Sequence, residues 1–195
     1  MKPSCRSKVV LVALLAISLV ATGCSPQWIS IALADLPVLL QMALNIGTTV
    51  TTLESGQQLS AAEAAAIQNI STEASKDLNL LQSLYNDYKT TANVASMQKI
   101  QNVIADINTN LPALLQSAHI RDAALAARIS AAVNLIVTTV NSFASLIPAQ
   151  GATPAQMKSK KAGYLPHAKD LKNRWNQEVC SPGETIPLLA GCSLK

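Results

Sequence analysis

A chain of 195 residues has room for one folded domain beside a targeting segment. Apolar residues make up 49% and charged ones only 13%, while glycine is scarce and aromatics are 3%, a composition poor for sheets, suited to helices, and reliant on Ala, Ser, Thr, Asn and Gln to cover the surface. The formal charge of +4 is uneven: residues 24–157 carry five Lys/Arg against eight Asp/Glu and residues 158–195 seven against three, which excludes nucleic acid as partner of the main body, because phosphate neutralisation needs a cationic face.

Residues 1–23 read as a targeting segment. A cationic start (Lys2, Arg6, Lys8) precedes an apolar run from Val9 to Ala21, interrupted by Ser18 and followed by small residues, the pattern of a secretory signal. The run is too short to span a bilayer, which takes about 20 residues. Its end, Ala21-Thr22-Gly23-Cys24, resembles the bacterial lipobox, with Ala21 where leucine is usual. The resemblance covers this segment alone. It implies cleavage before Cys24, acylation of Cys24, and attachment of the mature protein to a membrane of the cell envelope, with Ser25 resembling outer-membrane sorting in a Gram-negative host. Loss of Lys2, Arg6 and Lys8 leaves the mature chain near +1 instead of +4.

From Trp28 to Leu53 apolar residues recur at helical spacing (Ile29, Leu33, Leu36, Leu40, Ala43, Ile46, Val50), and Pro37 is expected to kink this helix or mark a late start. Ser60 followed by Glu63 makes a capping box that opens a second helix to about Lys89, with its stripe on Ile67, Ile70, Ala74, Leu78, Leu81, Leu84 and Tyr88. The third carries a heptad seam, Met97, Ile100, Ile104, Ile107, Leu111, Leu114 and Ala118, where Pro112 could kink or split it and Asn110 could cap the second part. The fourth, about Ile120 to Ile147, buries Leu125, Ile129, Ala132, Ile136, Val140, Phe143 and Ile147 and turns Asn134, Thr138, Asn141 and Ser145 to another face.

Four stretches of similar length with short links predict an all-α fold. Residues 24–150 form an up-down-up-down bundle of four long antiparallel helices, and residues 151–195 a short basic helical tail closed by a disulfide loop. Short helices are expected after Thr153-Pro154 and from Pro166 to Val179. With Cys5 lost with the signal and Cys24 acylated, Cys180 and Cys192 are left to pair across a loop holding Pro182, Gly183, Pro187 and Gly191. Such a closure stabilises by roughly 3 kcal/mol. A redox or metal pair fits poorly, because the spacing is far from Cys-x-x-Cys and no histidine lies near. Residues 36–53 and 129–157 carry no charge and give an alternative reading as membrane spans, opposed by Asp35, Pro37 and the polar residues of the second stretch.

No catalytic, metal-binding or cofactor motif stands out, and the protein is expected not to be an enzyme. His119 is expected to cap the third helix, in preference to ligating haem with Met42 or Met97. Glu63, Glu73, Asp77, Asp87 and Asp106 read as solvated charges. In the tail, Lys169, Lys172, Arg174 and Trp175 are candidates for contact with an anionic surface, against the plainer reading of a solvated face with Leu171 and Trp175 packed on the bundle. The expected role is that of a membrane-anchored envelope protein that is structural or binds an envelope protein. The alternative is a carrier with an apolar ligand in the bundle core.

Overall fold

A computed structural model of the protein describes residues 27–53, 59–91, 93–147 and 167–180. Helix is the only regular structure among these residues. Four long helices run α1 Gln27–Leu53, α2 Ala61–Thr90, α3 Val94–Ser117 and α4 Ala123–Leu146. A short helix, α5 Ala168–Arg174, continues into a π-helical turn, Trp175–Val179. Each long helix packs on the next, α4 returns to α1, and the ring so closed is the expected up-down-up-down bundle. The C-terminal element lies against the outside of that ring, with α5 on α1 and the π turn on α4.

Local chemistry sets the helix starts. The Ser60 hydroxyl accepts the Glu63 N–H at 3.2 Å, and Glu63 Oε2 accepts the Ser60 N–H at 3.0 Å, completing the capping box that opens α2. Asn93 accepts from the Ser96 N–H at 2.8 Å to start α3, and Asp122 from the Leu125 N–H at 2.7 Å to start α4. The α3 cap is therefore Asn93; Asn110 lies inside a helix that runs unbroken through Pro112. Pro37 likewise sits inside a continuous α1, not at its start. The amide each proline lacks costs one helical bond, but Leu36 and Leu39 about Pro37, and Leu111 and Leu114 about Pro112, pack in or against the core, and that burial holds the two halves of each helix together.

The core follows the predicted stripes closely in α4, where all seven residues are buried. In α2 the stripe departs at its C-terminal end. Tyr85 is fully buried and meets Phe143 of α4 edge-on at 6.4 Å, whereas Leu84 and Tyr88 are only partly buried. In α1 the buried face is wider than one stripe, because Ala32, Leu39 and Met42 join it while Leu33 and Leu40 move to its edge. α1 and α2 approach closely at Gly47. A Cβ there would stand 2.7 Å from Ser71 Oγ, and that hydroxyl donates to the Ala43 carbonyl at 2.8 Å. Glycine is thus required by space rather than by backbone angle.

Candidate functional site

The sequence-predicted positions divide between those the structure places and those outside the described residues. Cys24 and Cys192 belong to the second group, as do the loop expected after Cys180 and the short helix expected after Thr153-Pro154. Within α5 and the π turn, Leu171, Trp175, Val179 and Cys180 face the bundle, and the wider π turn lets the Cys180 N–H donate to the Trp175 carbonyl at 3.1 Å. Trp175 is 3% exposed, so its ring belongs to the packing and not to the outward cationic face. Lys169 points outward, Lys172 and Arg174 are half-buried, and Arg174 Nε donates to Glu178 Oε1 at 2.7 Å one turn on.

Two carboxylates that sequence reasoning set on the surface are buried instead. Glu63 is covered at the corner where α3 passes into α4: the Arg121 backbone N–H donates to its Oε1 at 2.8 Å, and the Arg121 guanidinium reaches its Oε2 at 3.0 Å. The side-chain bond from Arg121, with those from Ser60 and the two backbones, holds the Glu63 carboxyl well below the usual carboxylate range. Asp77 is the second. Burial, then the neighbouring Glu73, pushes its carboxyl upward against the opposing pull of Lys76, and its Oδ2 has no hydrogen-bond partner.

A third buried carboxylate went unassigned. Asp35, 1% exposed, lies in α1 under the first turn of α5. Burial pushes its carboxyl up to about 6, while the charge of His167 and a hydrogen bond from the Ala168 N–H pull the other way and Asp170 adds repulsion. Its Oδ2 is without a hydrogen-bond partner. The one signal in the sequence was an acid isolated in the apolar stretch from Ile29 to Leu40. Nothing local tells that a chain segment more than 130 residues away would cover it.

His119 takes a left-handed conformation (φ 46°) at the end of α3, and its Nδ1 lies 2.7 Å from the Ser117 carbonyl oxygen. That is the expected capping position, and it leaves the histidine at the opposite end of α3 from Met97, while Met42 is fully buried in the core. No group of three or more His, Cys, Asp or Glu placed to share a metal ion occurs among the described residues.

Ile29–Val50 and Ala123–Leu146 are each long and apolar enough, by length and composition, to cross a membrane, and half of each is buried inside the bundle. These are the neighbouring helices α1 and α4, the pair that the C-terminal element covers. Compared with family models, curated proteins and solved structures, the chain matches none.

Proposed function

We propose that this protein is an exported lipoprotein of the bacterial cell envelope, cleaved before Cys24, acylated there, and working as a non-enzymatic structural or protein-binding bundle. The observation that carries the reading is position. The lipobox-like Ala21-Thr22-Gly23-Cys24 closes the cationic and apolar N-terminal segment, and all four long helices lie on its C-terminal side. Multiple acyl chains on one cysteine then supply durable attachment, each buried methylene contributing about 0.8 kcal/mol. Ser25 favours the outer membrane in a Gram-negative host.

The face of α4 that carries Asn134, Thr138, Asn141 and Ser145 is exposed and uncharged, a surface that loses little on desolvation against a protein partner. The pairing of Cys180 with Cys192 belongs to the same proposal. Its support is that Cys180 is buried at the end of the π turn, and that Cys192 is the cysteine left over once Cys5 leaves with the signal and Cys24 carries lipid. Contact of Lys169, Lys172 and Arg174 with an anionic envelope surface is part of the proposal too, and Arg174 would exchange its pair with Glu178 for it.

The test is intact mass and membrane partition of the protein expressed in a bacterium, beside Cys24→Ser. A mass equal to residues 24–195 plus acyl groups, lost in the variant, is the expected result. A soluble, unacylated wild-type product would overturn the reading. Release of Cys24→Ser from membranes by alkaline carbonate is expected as well; retention would make α1 and α4 membrane spans.

A further inference from the structure

If Cys24 carries the lipid, the geometry of the bundle decides which of its ends meets the membrane. Only Ser25 and Pro26 separate Cys24 from Gln27, three Cα steps that reach at most about 11 Å. The headgroup layer of one leaflet is itself roughly 5–8 Å deep. The start of α1 is therefore held within a few ångströms of the headgroups, and whatever lies level with it is held there too.

The contacts between helices fix what lies level. Ser71 bonds to the Ala43 carbonyl, so those two positions share one height along the bundle. From that height α1 runs back about 24 Å to Gln27, and α2 runs forward about 28 Å to Thr90 in the same direction, at 1.5 Å per residue. Tyr85 and Phe143 share a second height, from which α2 ends about 8 Å on and α4 about 5 Å on. The start of α1, the corner between α2 and α3, and the end of α4 are level to within about one helical turn.

We infer that this end of the bundle, led by Val94 at the α2–α3 corner, rests in the lipid headgroup layer of the membrane that holds the Cys24 acyl chains; this rests on the lipoprotein reading. Val94 is 67% exposed, against 51% for Leu44 and 47% for Leu80, the other large apolar side chains exposed on the described surface. From Thr90 to Gln98 the sequence carries no charged side chain, and Thr90, Thr91 and Asn93 around Val94 are exposed hydroxyl and amide groups. An apolar tip in an uncharged, hydrogen-bonding rim suits a headgroup layer, where apolar surface is drawn inward and polar groups stay solvated. Lys89, exposed in the last turn of α2, adds a cation at the same level, with Asp87 half a turn behind it. The opposite end is built differently, from the Glu63–Arg121 pair and the Asp122 cap.

The test uses the full-length acylated protein in vesicles of phosphatidylethanolamine and phosphatidylglycerol, spin-labelled through Val94→Cys, Ala95→Cys or, at the other end, Gln116→Cys. All three sites are exposed, so the labels leave the fold intact, which circular dichroism checks. Expected are several-fold greater collision with lipid-soluble oxygen relative to a water-soluble nickel chelate at 94 or 95, and the reverse at 116. Equal, water-dominated accessibility at both ends in protein that floats with the vesicles would overturn the orientation while leaving the anchor standing. Protein that does not float would overturn the anchor and this inference with it.

Discussion

Two buried carboxylates of this bundle have opposite surroundings. At the corner where α3 passes into α4, Glu63 is supplied with donors on every side: the Ser60 hydroxyl and N–H, the Arg121 N–H and the Arg121 guanidinium. Along the seam where α5 crosses α1, Asp35 has the Ala168 N–H, the charge of His167, and an Oδ2 that no hydrogen bond reaches. Burial with partners favours the ionised form, and burial without enough of them favours the neutral one. The corner is thus secured by its charge, and the seam is loosened by its own.

The largest expected effect removes the seam. Trp175→Ala should cost about 3–5 kcal/mol in urea denaturation if α5 folds with the bundle, since a fully packed indole is lost. An unchanged midpoint with fewer helical residues would instead make α5 a separately melting unit. In that second case the Asp35 carboxyl, followed by NMR titration, should fall from about 6 toward an ordinary aspartate value as its cover leaves. An unmoved titration would show that α5 is not what desolvates it.

Next comes Asp35→Asn. Because the folded-state value for Asp35 is raised above that of the unfolded chain, wild-type stability is full below about pH 4 and declines as pH climbs through about 6. The variant carries no such titration. It should therefore exceed wild type by about 3 kcal/mol above pH 7, with the gap closing toward pH 4, as read from denaturation midpoints across that range. A constant gap would mean that the seam senses shape and not charge.

The corner should answer with the opposite sign. Ser60→Ala is expected to cost about 1 kcal/mol through the lost cap. Glu63→Gln should destabilise at neutral pH and lose its effect as pH falls below the ordinary glutamate range, because the depressed Glu63 carboxyl contributes stability above that range and forfeits it below. Smallest of all is Glu178→Ala, at most about 0.5 kcal/mol, since its pair with Arg174 stands in solvent. A larger loss there would mean that the pair helps to hold the π turn.

Much of the fold is legible in the sequence. Along α4 the inward stripe could be read directly from its steps of three and four, although Val133 and Leu135 beside it are buried as well. Between Leu81 and Tyr88 it could not, because Leu84, Tyr85 and Tyr88 are all apolar enough to serve. Tyr85 turns inward because Phe143 stands across the core to receive its ring edge. Pro37 and Pro112 misled for a related reason: the lost amide is written in the sequence, whereas the packing on both sides that keeps each helix whole is not.

The sequence by itself determined the helical period, the capping box at Ser60, the number of long helices and their alternating direction, since the periods and the cap depend on neighbours a turn or two away. Only the tertiary structure decided which acids lose their water. Glu63 meets Arg121 across 58 positions of chain, and Asp35 is covered by a helix that begins at Ala168. A carboxyl's ionisation follows the dielectric and the donors around it, and in this protein those are contributed by segments remote along the chain.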